Sequence, residues 1–316
     1  MKVLVTGGAG FIGSQFVRSV LGGALDGLAG ARVTVLDKLT HAGRFANLAA
    51  VTEHERLDFV PGDICDSALV DAVTGGHDMI VTFAHERAAA GLATTNVLGT
   101  QVLLDAARRH GVTRFLQVST EQVYGSIGAG AWTERSPVAP PTPYAATKAG
   151  ADLLALAHHR THDLPVVVTR SAGTYGPYQH PEQFIARFVT GLLSGRTVPL
   201  SGGSQVRDWV HVEDHCRGVA LALTRGTPGE IYHIGGTAEL SNRDLAGRLL
   251  ELCRAGWDRV VDVPDGRGHD NRYALADDKI RRELGYRPRI DVDAGLAATV
   301  RWYRDNEEWW RPLISD

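Results

Sequence analysis

Tyr144 and Lys148 stand four residues apart, a spacing that puts a phenol and an ammonium on one face of a helix. Such a pair can oxidise a carbinol, because a base removes the hydroxyl proton while hydride leaves for an acceptor. An unperturbed phenol titrates at about pH 10, too high for that work near neutrality, and an adjacent cation favours the phenolate. The pattern Tyr-x-x-x-Lys is common, and alone it often marks only a surface pair. Here it follows a strand ending in Ser119-Thr120 and lies downstream of a glycine loop. That setting turns it into a candidate site.

The hydride acceptor is suggested by Gly7, Gly10 and Gly13, a Gly-x-x-Gly-x-x-Gly run between a strand and the helix opened by Phe11 and Ile12. A tight turn of this kind brings backbone N–H groups and a helix N-terminus against a pyrophosphate. Thirty-six glycines make chance matches easy, so the strand before and the helix after carry the inference. Asp37, at the end of the second strand, suits the ribose hydroxyls and repels a 2′-phosphate, which favours NAD over NADP. Asp63 and Ile64, after the third strand, fall where an adenine ring would lie, and Lys148 can also reach the nicotinamide ribose.

These residues need a frame. Apolar runs at Lys2–Thr6, Arg32–Leu36, Met79–Phe83, Arg114–Val118 and Pro165–Thr169 alternate with helical stretches at Phe11–Leu21, Asn96–His110 and from near Tyr144. Short, nearly continuous apolar strands alternating with helices predict a parallel sheet covered on both faces. The fold class is α/β: a Rossmann doubly wound parallel sheet with a smaller α/β C-terminal substrate lobe. The rhythm breaks after about residue 175. We therefore expect residues 1–175 to form the NAD-binding domain, with a stretch near 207–235 returning to it, and 176–316 to form mainly the substrate lobe.

With 316 residues, a net charge of −3 and no dense Lys/Arg stretch, the chain does not read as a nucleic-acid or membrane-surface protein. No apolar run approaches the roughly 20 residues that span a bilayer, and no signal-peptide pattern opens the sequence. A cytoplasmic location is the expectation. Cys65, Cys216 and Cys253 are scattered and odd in number, fitting reduced core thiols, and neither they nor the adjacent His158 and His159 have metal-ligand spacing. No metal is expected.

Over nearly its whole length the chain resembles the extended short-chain dehydrogenase/reductases, in the NAD-dependent epimerase/dehydratase family, and within them the dTDP-glucose 4,6-dehydratases. The likeness is carried by Val35–Thr40, Val118-Ser119-Thr120, Tyr175-Gly176-Pro177-Tyr178, Val206–Trp209, Gly268-His269-Asp270 and Trp302–Asn306. It implies tightly held NAD, with Lys38, Thr40 and Ala84 joining the cofactor set, and a homodimer through helices near 98–109 and 145–159. It also implies that Thr120, Tyr144 and Lys148 assist oxidation at C4 of a sugar, and it places Glu86, Thr120, Thr174, Gln183, Arg207, His233, Arg267, His269 and Arg272 on the substrate side.

The resemblance thus assigns these last nine positions to the binding of a nucleotide-activated sugar. In such enzymes an Asp-Glu pair after the Thr eliminates water across C5 and C6, the Glu taking the C5 proton and the Asp protonating the leaving hydroxyl.

This chain reads Thr120-Glu121-Gln122 instead. An amide cannot take a proton near neutrality, and loss of a general base costs about 10²–10⁴-fold in rate. Glu121 remains as the one ionisable group of the pair. The segment Arg87–Thr94 is shortened, Gly173-Thr174 replace two Asn, Gln183 replaces a Lys, and His233 replaces an Asn. Oxidation needs only Thr120, Tyr144, Lys148 and NAD, so the leading expectation is an epimerase acting by transient oxidation at C4. The alternatives are a 4,6-dehydratase using Glu121 as acid/base, a dehydrogenase or ketoreductase acting on another sugar or glycoside, and a non-catalytic NAD-binding protein.

Overall fold

The computed structural model describes residues 1–264 and 271–314. Its first half alternates strand and helix: β1 (Lys2–Thr6), α1 (Phe11–Leu21), β2 (Arg32–Asp37), β3 (Leu57–Pro61), α2 (Ser67–Thr74), β4 (Met79–Thr82), α3 (Thr100–Arg109), β5 (Arg114–Thr120), α4 (Pro143–His162) and β6 (Val166–Ser171). The second half holds β7 (Gly173–Tyr175), α5 (Phe184–Leu193), β8 (Val198–Ser201), β9 (Val206–His211), α6 (Val212–Arg225), β10 (Ile231–Ile234), β11 (Ala238–Ser241), α7 (Asn242–Cys253), β12 (Val260–Val263), α8 (Asp278–Leu284) and α9 (Val292–Asp305).

Seven parallel strands form one sheet in the order β10-β6-β5-β4-β1-β2-β3. Apart from β10, this is the doubly wound Rossmann order. The central strands are apolar throughout because both faces are covered: Val3, Leu4 and Val5 of β1 are all buried. One face packs α1 and α6 through Phe16, Val20, Val219 and Leu223, and the other packs α3 and α4 through Leu103, Leu104, Ala155 and Leu156. Chain order reverses between β1 and β4, which opens a crevice at the carboxyl ends of the strands.

The smaller lobe has its own core, in which Phe188, Leu245, Leu249, Leu296, Tyr303 and Trp310 are buried. It contains a three-stranded sheet, β11-β9-β7, and the pair β12-β8. Within 207–235, α6 and β10 lie with the large sheet, whereas β9 joins the small one. Cys216 is buried, but Cys65 and Cys253 are only half-buried, so the core-thiol expectation fits one of the three. No helix among the described residues is long and apolar enough to cross a membrane.

Candidate active site

A cleft of about 400 Å³ lies over the switch point, between the two lobes. Gly7, Gly10, Phe11, Ile12 and Gly13 line one end of it. Gly7 has φ +70°, and a Cβ there would come within 2.5 Å of the Ala84 amide nitrogen. A Cβ on Gly13 would strike the Gly7 carbonyl oxygen. Side chains are thus excluded by the turn itself, and the backbone of α1's first turn is left open to a ligand. Asp37 accepts hydrogen bonds from the amides of Ala9 (2.9 Å) and Leu39 (2.8 Å), which fixes its carboxylate beside the loop. Burial raises its pKa while the two amides oppose that rise.

Lys38, Thr40, Asp63, Ile64 and Ala84 line the same end of the cleft. Lys38 Nζ lies 3.3 Å from both Asp63 and the Thr95 hydroxyl. A side-chain-free loop at a helix N-terminus followed by a carboxylate at the next strand end fits a dinucleotide: the loop for its pyrophosphate, Asp37 for a ribose.

The chemical end is built by β5 and α4. Thr120 ends β5 and caps the following turn, its hydroxyl accepting from the Gln122 amide at 3.3 Å. That turn sends Glu121 inward, 4% exposed, and leaves Gln122 half-buried. The Thr142 hydroxyl caps α4 through the Ala145 amide, and Pro143 stands in the first turn. Tyr144 and Lys148 follow one helical turn apart, and both line the cleft with Thr120, Glu121 and Gln122.

Electrostatics differ here from the simple Tyr–Lys picture. Lys148 Nζ donates to the Val118 carbonyl at 2.7 Å, and burial lowers its pKa to about 8 against the opposing pull of Asp152. Burial raises the Tyr144 phenol, and the cation opposing that rise is Arg87, whose guanidinium lies 4.5 Å from the ring centroid. The expectation that Lys148 brings the phenol down is therefore corrected: desolvation prevails, and Arg87 supplies the opposing charge. Glu121 is raised well above its ordinary value, first by burial and then by Asp208, while Arg207 opposes the rise.

Glu86, Thr174, Gln183 and Arg207 also line the cleft. Glu86 accepts from the amides of Arg87 (2.7 Å) and Ala88 (2.9 Å), and so shapes the start of the shortened segment. The guanidinium of Arg207 lies 4.6 Å from the Tyr273 ring centroid. Two assignments are corrected. His233 is fully buried away from the cleft, bonded to the Tyr124 hydroxyl (2.7 Å) and the Ala276 carbonyl (2.9 Å). Arg272 is also absent from the cleft wall, held by Glu239 at 2.8 and 3.0 Å and by the Gly130 carbonyl at 2.7 Å. Arg267 and His269 lie outside the described residues.

Several wall residues were given no site role from sequence: His85, Arg87, Gln179, Trp209 and His215. Four buried polar atoms in the wall have no partner among the described residues: Glu121 Oε2, Gln179 Oε1, Trp209 Nε1 and His215 Nε2. Buried polar groups are ordinarily paired, so four lone ones in one wall stand out. His41 Nε2 and Glu182 meet at 3.1 Å, joining the loop after β2 to the loop before α5.

The family profile described as GDP-mannose 4,6 dehydratase matches residues 4–299. The chain is similar to the dTDP-glucose 4,6-dehydratase of Streptomyces niveus, at 56% identity over 100% of this chain and 96% of that one. Among solved structures it is similar to a double mutant of the dTDP-glucose 4,6-dehydratase of Streptomyces venezuelae with NAD and DAU bound, with a TM-score of 0.97, 56% identity, and 99% and 100% of the two chains covered. The UDP-glucose 4-epimerase of Thermotoga maritima with UDP-glucose gives a TM-score of 0.89 at 28% identity, covering 97% and 100%. The fall from 56% to 28% corrects the ranking drawn from sequence, since the dehydratase alternative is better supported than the C4 epimerase. On a profile match over nearly its full length and on these identities, the chain belongs to the NAD-dependent epimerase/dehydratase family of extended short-chain dehydrogenase/reductases.

Proposed function

We propose that the chain is a nucleotide-sugar 4,6-dehydratase that holds NAD in the glycine-loop end of the cleft and uses Glu121 as its acid. The observation that carries this reading is the buried carboxyl of Glu121, its pKa raised well above the ordinary value, in the same wall as Thr120, Tyr144 and Lys148. Gly7, Gly10, Gly13, Asp37, Lys38, Thr40, Asp63, Ile64 and Ala84 are the cofactor set. NAD held by these residues would supply a reversible hydride acceptor for the sugar carbons.

The rest falls to the chain's own residues. Tyr144 takes the proton of the C4 hydroxyl, Thr120 holds that oxygen, and the Arg87 guanidinium over the ring favours the phenolate, with Lys148 in the same wall. Glu121 donates a proton to the C6 hydroxyl, which departs as water. The proton gained by Tyr144 passes to solvent and balances the one Glu121 regains. Donors and acceptors of the unpartnered wall atoms are mixed: Trp209 Nε1 donates, and Gln179 Oε1 accepts. A hydroxyl-rich ligand answers to both. Glu86, Thr174, Gln183 and Arg207 complete the sugar-nucleotide side. In this reading residues 1–175, with α6 and β10, carry the cofactor, and 176–316 carry mainly the substrate. Leu98 and Leu153, 51% and 54% exposed beside α3 and on α4, support a homodimer through those helices.

The test uses dTDP-glucose in deuterated water. The product is expected to have lost water and to carry deuterium at C5. A C4 epimer without deuterium at C5 would overturn the reading. Gln122 is the observation that favours epimerisation, since it removes the usual second base, and this experiment separates the two. The Glu121→Gln variant is expected to lose dehydration by about 10²–10⁴-fold, as for other general acids.

A further inference from the structure

Dehydration requires a group to take the C5 proton, and neither side chain beside Thr120 can do so in the resting site. Gln122 has no basic atom, and burial and Asp208 favour the protonated form of Glu121, the form the elimination uses as its acid. Another base must therefore face the cleft.

His85 meets the requirement. It follows β4, lines the cleft, and is exposed to it. Its ring centroid lies 5.9 Å from that of Tyr144, tilted by 57°. Its Nδ1 is 3.0 Å from the Phe83 carbonyl oxygen. A carbonyl only accepts, so Nδ1 carries the hydrogen and Nε2 holds the lone pair. Among the described residues no hydrogen bond engages Nε2. The segment is anchored as well: Asn96 bonds the Glu86 amide at 2.7 Å and the Glu86 carbonyl at 2.9 Å, and also reaches the Thr147 hydroxyl at 2.9 Å. His85 is therefore held between β4 and α4, beside the phenol.

Resting on the dehydratase reading, we infer that His85 Nε2 is the general base for C5, in place of the carboxylate that Gln122 replaces. The C5–H bond breaks and its proton goes to Nε2. The electron pair forms the C5–C6 double bond as the C6–O bond breaks, and the oxygen leaves with the Glu121 proton as water. When hydride arrives at C6, the imidazolium returns a proton to C5. Lys148, Arg87, Glu86 and Tyr144 are the charged and titratable groups around the ring. Desolvation by the surrounding cleft walls, then Lys148, holds the imidazole pKa down to about 4, so the ring is neutral near pH 7. A base of that strength matches an ordinary carboxylate, which titrates at about 4.3 in Glu.

The NAD-loaded full chain is given dTDP-glucose in deuterated water. His85→Ala is expected to cut C5 deuteration and dehydration together by about 10²–10⁴-fold, with oxidation at C4, followed by nicotinamide absorbance in a single turnover, retained. Added imidazole should restore part of the loss. His85→Asn keeps an amide donor for the Phe83 carbonyl, and it should fail at the same step while melting like the parent. Wild-type dehydration that persists unchanged in both variants overturns the role of His85 and leaves the dehydratase reading standing. Absence of dehydration in the wild type overturns the dehydratase reading. Histidine ¹⁵N resonances supply an independent readout: a His85 signal of the Nε2–H tautomer, or one unmoved by dTDP-glucose, overturns the assignment whatever the turnover.

Discussion

Two carboxyl groups in this cleft behave oppositely because their partners differ. Glu86 is pushed up by burial, yet the amides of Ala88 and Arg87 hold it below its ordinary value. Glu121 Oε2 is buried with no partner among the described residues, and burial together with Asp208 pushes the carboxyl pKa up. An acid kept neutral at pH 7 can donate to a leaving hydroxyl. At this scale the Tyr144→Phe variant is expected to retain NAD, measured by calorimetry, and to lose turnover by about 10²–10⁴-fold. Unchanged turnover would remove Tyr144 from the base role. The alkaline limb of the pH profile follows in sign. Lys148 is charged below about 8 and loses its proton above it, and Glu121 likewise loses its proton as pH rises, so activity should fall on the alkaline side.

Behind the catalytic helix, β5, β6 and α4 share a buried polar network. Asp152 accepts from Arg170 Nε at 2.9 Å and from the Ser119 hydroxyl at 3.0 Å, and Arg170 also donates to the Tyr124 hydroxyl at 2.6 Å. Both ionic partners are nearly inaccessible, at 3% and 0% exposure. Cutting one partner leaves a buried charge uncompensated, so Arg170→Met is expected to cost about 3–5 kcal/mol in denaturant unfolding. A loss under 1 kcal/mol, within the range of about 0–1 kcal/mol typical of exposed pairs, would contradict that account. Asp152→Asn removes the carboxylate that supports the Lys148 ammonium, and should move the alkaline limb to lower pH. An unmoved limb would confine Asp152 to packing.

At the scale of the whole molecule, the C-terminal region reaches back to the glycine loop. Trp309 Nε1 donates to Asn47 Oδ1 at 3.0 Å, and Asn47 Nδ2 donates to the Ala9 carbonyl at 2.8 Å. The small lobe therefore steadies the turn that faces the pyrophosphate. A hydrogen bond nets about 0.5–1.5 kcal/mol, so Asn47→Ala should weaken NAD binding by roughly 2- to 13-fold on that scale. Calorimetric affinity equal to wild type would show that the loop holds its shape alone.

The parallel sheet was legible from the alternation of apolar runs and helical stretches, because strands buried on both faces must be apolar throughout. The glycine loop, Asp37 and the Tyr144–Lys148 pair were legible for a similar reason, since each depends on spacing within one or two adjacent elements. Residues held by distant partners were not. His233 and Arg272 looked like ligand groups in sequence, but contacts with Tyr124, Ala276, Glu239 and Gly130 draw them out of the cleft. His85, Gln179 and His215 entered the wall without any motif. The raised pKa of Glu121 was equally hidden, because burial and the nearness of Asp208 exist only once the turn after β5 and strand β9 come together in the fold. Local spacing fixes which chemistry is available, whereas long-range packing decides which groups face the ligand and which of them carry a proton.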